Sequence, residues 1–387
     1  MMKNFIAEKY QDFKLSPLTK TGSMARKYED VINLSIGNPD YPADENMLQQ
    51  AFKDVVETNS TKYEDFFGNA NLIEATREMY LEDYDYKIKD TEVLVTAGGT
   101  NAMHIVFETL LNEGDEVILI SPYYPDYIGQ LDMCNGKPVV YETKWENNFK
   151  IDAEELETLV TSRTKLIVVN SPNNPSGKVY DEEDLNKIME VAQKHDFLVL
   201  ADDIYTALNY EGKAIPLCTL EKAPERVITI YSYSKDFAVP GIRLGHIVAN
   251  EELIDMMCSV AETVDFTVNS ISQKIGYYAL KNRHEIQKSL VEEYKKRVFY
   301  CYERIKNIPK MHCIKPEGTF YLFINIQDTG HKSFDIWEKL LDEAHIVVLP
   351  GAAFGPSGEG HIRIACTVGV ETLKEAFDRL EKLEMFQ

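Results

Sequence analysis

The chain has 387 residues, 44% hydrophobic and 27% charged, an ordinary globular composition in a length that one hydrophobic core seldom serves. Its 41 basic against 63 acidic residues leave a net charge of −22, which argues against nucleic acid or an anionic membrane as a partner. Six scattered cysteines (Cys134, Cys218, Cys258, Cys301, Cys313, Cys366) form no C-x-x-C pair, so free thiols are expected rather than a disulfide framework or a zinc site. The opening "MMKNFIAEKYQDFK" has no sustained apolar stretch, and no run approaches the ~18 apolar residues of a membrane span. A cytoplasmic protein without metal is the expectation.

From about residue 46 to 245 the sequence alternates strand, loop and helix. "EVLVTAGGTNAMHIVFETLL" predicts a strand, a glycine pair and a helix with Met103, Val106, Phe107, Leu110 and Leu111 on its apolar face. "DEVILIS", "TKLIVVN", "FLVLAD" and "RVITIYS" are Val/Ile/Leu runs without clear alternation, as expected of strands buried on both faces of a mostly parallel sheet. "DEEDLNKIMEVAQKHD" carries helical spacing and an acidic first turn, as suits a crossover helix. Residues 272 to 308 predict long helices, and "TFYLFINI", "IVVLPG" and "HIRIAC" predict strands of a second, smaller α+β unit. The expected limits are an N-terminal segment, 1–45, packing with the small domain, a large domain, 46–284, and a small domain, 285–387.

Each apolar run of the large unit empties into a polar cluster: "TAGGTN", "SPYYPDY", "NSPNNPSG", "ADDIY" and "SYSKDF". Ligands of open α/β sheets bind beyond the carboxyl ends of the strands, so one shared site is predicted. Lys235 follows a strand directly, where partial desolvation would lower its pKa and let it form a Schiff base with a carbonyl; pyridoxal phosphate is the leading cofactor for such a lysine. Asp202 ends an apolar run, where a protonated pyridine nitrogen would satisfy its carboxylate; a capping role is the other reading. Tyr205 and Asn174 are able to donate to the cofactor's phenolic oxygen, or else serve as a packed aromatic and a turn residue.

Gly98, Gly99 and Thr100 at a helix start, with Ser232 and Arg243, offer backbone donors, a hydroxyl and a guanidinium to a phosphate; a glycine pair is also simply a tight turn. Tyr124 is placed to stack on an electron-poor ring or to pack as an ordinary aromatic. Arg363, inside a strand pattern, needs an anion, either a substrate carboxylate or a structural partner, and Gly37 lets backbone come close or makes a turn.

"LSIGNPDYP", "YEDFFGNANL", "TAGGTNAM", "SPNNPSGKVY", "ADDIY", "SYSKDFAVPGIRLGH" and "GEGHIRIA" resemble, in order and spacing, the motifs of the class I/II aminotransferases, from about residue 30 to the C-terminus. The resemblance implies a fold type I pyridoxal-phosphate architecture, an α/β large domain beside a smaller α+β domain. It implies ping-pong transfer of an amino group between an L-amino acid and a 2-oxo acid. Lys235 then matches the lysine that holds the cofactor and shuttles the proton, Asp202 its ring-nitrogen partner, and Tyr205 and Asn174 the phenolic-oxygen partners. Gly99, Thr100, Ser232 and Arg243 match the phosphate cup, Tyr124 the stacked ring, and Arg363 the α-carboxylate clamp with Gly37 beside it. Tyr63 resembles a tyrosine reaching the phosphate of the neighbouring subunit, which implies a homodimer with shared sites.

Three positions depart from the family or bear on specificity. Asp203 stands where Glu is usual. Thr100 stands where one dicarboxylate-reading branch carries lysine. Asp265 falls near the place from which another branch brings an arginine of the neighbouring subunit, an acidic change that disfavours an aspartate side chain. Two other functions are compatible with parts of the pattern: a carbon–sulfur β-lyase, decarboxylase or oxidase with the same motifs, and a transcription regulator with an aminotransferase-like body. The motifs begin at about residue 34, and the charge of −22 disfavours DNA, so the regulator is the weaker alternative.

Overall fold

In a computed structural model, the described residues are 5–11, 17–26, 28–212, 214–221, 223 and 225–387. Among the described residues thirteen strands form three sheets: β1 (Ile32–Asn33), β2 (Val93–Thr96), β3 (Glu116–Ser121), β4 (Lys137–Glu142), β5 (Thr164–Asn170), β6 (Leu198–Asp202), β7 (Val227–Ser232), β8 (Gly245–Val248), β9 (His312–Cys313), β10 (Tyr321–Asn325), β11 (Ile346–Val347), β12 (Leu349–Pro350) and β13 (His361–Ala365).

The main sheet has the order β2-β8-β7-β6-β5-β3-β4, and β8 alone runs against its neighbours. The expectation of a mostly parallel sheet holds, and so does its physical basis. Val93, Ile118, Ile167, Val199 and Val227 enter one core, while Leu94, Val117, Leu119, Leu166, Leu200 and Ile228 enter another on the opposite face. Both faces are covered, so apolar residues need not alternate with polar ones. Each such side chain contributes roughly 1.5–3 kcal/mol on burial.

The helices begin where the sequence supplies a cap. Asp181 accepts from the Asp184 backbone N–H at 2.9 Å at the start of Glu182–His195, and Asp196 ends that helix in the left-handed region with φ 57°. No helix among the described residues is long and apolar enough to cross a membrane.

The smaller sheet is antiparallel, in the order β12-β13-β10-β9, and is backed by the helices Arg283–Ile305, Ser333–Ala344 and Val370–Leu380. Ile362 and Ile364 enter its core, whereas Arg363 between them points the other way. Part of the N-terminal segment expected to pack here lies outside the described residues. Of the described part, β1 pairs in parallel with β11, and Ile32 and Leu34 join the small unit's core.

Candidate active site

Strands β2, β3, β5, β6 and β7 all run the same way, so their carboxyl ends gather the five polar clusters along one edge of the sheet. There they meet the small unit around a cavity of about 480 Å³. Its wall includes Gly37, Gly99, Thr100, Tyr124, Asn174, Asp202, Tyr205, Ser232, Lys235, Arg243 and Arg363. Of the predicted catalytic and binding residues, Tyr63 and Gly98 stand outside this wall. Tyr63 is 80% exposed and meets the edge of Phe266 at 4.8 Å between ring centroids.

Lys235 sits in the helical turn Tyr233–Asp236, which follows β7 directly and is capped by Ser232. Its Nζ donates to the Gly37 carbonyl at 2.5 Å. Burial, then the charges of Arg363 and Arg243, lower its pKa to about 8. The amine is therefore partly neutral near physiological pH, as a nucleophile requires. Asp202 ends β6 and accepts a hydrogen bond from the Tyr127 hydroxyl. Burial raises its pKa to about 6, against the lowering by Tyr127. Asn170 Nδ2 donates to the Asp202 carbonyl at 2.8 Å, and its Oδ1 accepts from the Asn174 backbone at 2.8 Å, joining two strand ends.

Arg363 is 1% exposed and has no carboxylate partner among the described residues. Its Nη1 donates to Asn174 Oδ1 at 2.9 Å, its Nη2 to the Ser35 carbonyl, and its Nε has no partner in the structure. The guanidinium lies between two rings, 4.3 Å from the centroid of Tyr321 and 5.0 Å from that of Phe354. A salt bridge to the protein's own acids, the alternative reading of this arginine, is not made. Burying a guanidinium without an anion is costly, so the arrangement suits a carboxylate ligand.

Gly98, next to the wall residue Gly99, has φ 92° and caps the helix Gly99–Leu110. A Cβ at Gly98 would lie 2.7 Å from Arg243 Nη2, so only glycine gives both the left-handed turn and the room for that guanidinium. Helix N-terminus, Ser232 hydroxyl and Arg243 thus converge as an anion cradle. Tyr124 lines the same cavity, its hydroxyl donating to Asp126 Oδ2 at 2.7 Å.

The sequence profile described as "Aminotransferase class I and II" matches residues 29–380. The chain belongs to this family. It is 37% identical to a protein named aspartate aminotransferase from Pyrococcus horikoshii, covering 98% of this chain and 97% of that one. It is 33% identical to aromatic-amino-acid aminotransferase 2 of Thermococcus litoralis, covering 95% of each. Among solved structures, aspartate aminotransferase from Thermus thermophilus with maleate superposes with a TM-score of 0.92 at 30% identity, covering 97% of this chain and 99% of that one. The chain is thus an aminotransferase with the fold type I architecture.

Several wall residues of this aminotransferase escape sequence reasoning. Tyr127 stands in the "SPYYPDY" cluster, but its bond to Asp202 spans 75 positions and leaves no local pattern. Gln130 Nε2 holds the Thr100 carbonyl at 2.8 Å. Tyr321 opens β10, where the sequence predicts only a strand. Asp265 does not line its own chain's cavity; its Oδ2 accepts from Asn101 Nδ2 at 2.6 Å.

Proposed function

We propose that pyridoxal 5'-phosphate is the cofactor, bound through Lys235, and that the enzyme moves an amino group between an L-amino acid and a 2-oxo acid. The observation that carries this reading is one cavity holding a buried, partly neutral lysine together with a buried arginine that lacks an acid partner. The donor set fits the cofactor. Asp202 has no cation beside it among the described residues, and a protonated ring nitrogen would satisfy its carboxylate. The anion cradle at Gly99, Thr100, Ser232 and Arg243 suits a phosphate, and Tyr124 offers a ring face. Tyr205 has a buried hydroxyl facing the cavity, and Asn174, with Oδ1 turned to Arg363, keeps its amide N–H groups to donate.

When bound, the cofactor supplies an electron sink for the charge that develops at the substrate's α-carbon. Asp202 would hold the proton on its ring nitrogen. Arg363 would grip the substrate α-carboxylate and so fix the orientation of the α C–H bond. Lys235, once the substrate amine has replaced its own on the cofactor, would take the proton from the α-carbon as general base. Tyr205 and Asn174 would donate to the phenolic oxygen. Tyr63, exposed on its own chain, is proposed to reach the phosphate of a second copy in a homodimer.

The cations of the described wall, Lys235, Arg243 and Arg363, are all committed to these roles, and Thr100, Met103, Ile36 and Gln130 carry no charge. This supports an amino donor with an uncharged side chain. The limits 1–45, 46–284 and 285–387 are retained as the proposed domain division, and the cytoplasm as the proposed location.

Absorbance spectra of the cofactor-loaded protein test the reading. An amino acid alone is expected to bleach the visible band, and a 2-oxo acid to restore it. Pyruvate or carbon dioxide accumulating without an acceptor would instead assign a lyase or decarboxylase.

A further inference from the structure

Tyr321 occupies a junction that none of the assigned roles explains. It is 3% exposed, opens β10 opposite Ala365 and lines the cavity. Its hydroxyl is 3.2 Å from that of Tyr205. Its ring lies 4.3 Å from the Arg363 guanidinium, and Tyr124 is near enough to couple electrostatically to it. From the third side Gly37 presses on the hydroxyl, since a Cβ there would lie 1.7 Å from Tyr321 Oη. The Gly37 carbonyl in turn accepts from Lys235. Tyr205, Tyr124 and Arg363 thus face Tyr321 directly, and Lys235 reaches it through Gly37.

Two hydroxyls in one hydrogen bond hold two protons, and only one of them lies between the oxygens. The other is free to donate elsewhere. The direction follows from the room around Tyr321: the fixed Gly37 backbone leaves its hydroxyl little freedom to turn away from Tyr205.

We propose that Tyr321 is a positioning residue: its hydroxyl donates to Tyr205 Oη, which turns the Tyr205 proton toward the cofactor's phenolic oxygen, while its ring forms the platform for Arg363. The inference rests on the preceding reading that Tyr205 faces a bound cofactor. It assigns one side chain to both halves of the site, through the hydroxyl on the cofactor side and through the ring on the carboxylate side.

The test is a pH titration of the visible absorbance of the holoenzyme. Losing the Tyr321 hydroxyl weakens Tyr205 as a donor, so the phenolic oxygen keeps more negative charge and holds the proton of the Lys235–cofactor linkage more tightly. Tyr321→Phe is expected to raise the titration midpoint by about one pH unit, a tenfold change in protonation. Tyr205→Phe raises it as well, and the double variant goes no further than Tyr205→Phe alone, because Tyr321 acts through Tyr205. Tyr321→Phe keeps the ring and hence the KM for the amino acid, whereas Tyr321→Leu raises KM about tenfold by removing the platform.

Gly37→Ala pushes the same hydroxyl aside from the opposite direction and is expected to shift the midpoint the same way, which keeps the test available should Tyr321→Phe fold poorly. A midpoint unchanged in both Tyr321→Phe and Gly37→Ala, or additive shifts in the double variant, would overturn the inference while leaving the cofactor reading intact. A wild-type protein that forms no visible band with added cofactor would overturn the cofactor reading, and the inference with it.

Discussion

Arg363 Nη1 donates to Asn174 Oδ1 at 2.9 Å, a bond that joins β13 of the small sheet to the loop after β5 of the large one. The two sequence segments lie 189 positions apart, and the bond is buried. It fixes the amide of Asn174, leaving the N–H groups to face the cavity, and it fixes the guanidinium without neutralising it. A carboxylate entering the site therefore meets a preformed cation.

That arrangement predicts the effect of changing the arginine. Arg363→Lys keeps the charge but loses the planar fork and its two bonds, to Asn174 and Ser35. A loss on the order of 3 kcal/mol, or about a hundredfold in kcat/KM, is expected, mainly through KM. Steady-state kinetics check it. The absorbance of the bound cofactor should stay near the wild-type position, since Arg363 is assigned to substrate.

Asp202 predicts opposite changes in stability and cofactor binding. Its folded pKa is raised from 3.8 to about 6 by burial, so the folded cofactor-free protein holds a proton there that the unfolded chain has already lost. The contribution of Asp202 to stability is thus lost as pH rises through that window. His246, lowered to about 3 by burial, acts in the opposite sense, and Asp236, raised to about 7, in the same sense. Both are common to variant and wild type, so the difference between the two proteins reports Asp202 together with its repulsion of the buried Asp203. Cofactor-free Asp202→Asn should exceed wild type by on the order of 3 kcal/mol above ~pH 7 and match it below ~pH 4. Urea unfolding at several pH values measures this. Its affinity for the cofactor should fall, because the ring nitrogen loses its anionic partner.

Gly98→Ala tests the anion cradle. The substitution places a Cβ 2.7 Å from Arg243 Nη2 and puts a side chain at φ 92°. A strain of about 1–3 kcal/mol is expected, together with cofactor binding weakened by roughly tenfold as Arg243 moves. Equilibrium dialysis reads the affinity and thermal unfolding reads the strain.

Substrate preference follows from the uncharged wall. Phenylalanine should exceed aspartate in kcat/KM by about tenfold or more, since a side-chain carboxylate would be buried without a cation from this chain. Parallel assays with a common 2-oxo acid decide it, and aspartate as the better donor would contradict the assignment.

How far the sequence is legible varies with the range of the contacts. The buried strands β3, β5, β6 and β7 are readable because their apolar runs are continuous and end in polar clusters. Strand β8 is not, since "GHIV" is four residues long and overlaps the end of the stretch whose motif marks Lys235. Every predicted catalytic and binding residue except Tyr63 and Gly98 lines one cavity. Tyr127 and Tyr321 are illegible because their meaning lies in hydroxyl partners 75 and 116 positions away. In isolation each is one aromatic among the 22 tyrosines of the chain.

The most direct test of the central claim is chemical trapping at Lys235. The protein would be loaded with pyridoxal phosphate, reduced with borohydride, digested and mapped by mass spectrometry. A phosphopyridoxyl group on the peptide containing Ser234, Lys235 and Asp236, absent from Lys235→Ala, is the predicted result. Label on a different lysine, or none at all, would contradict it.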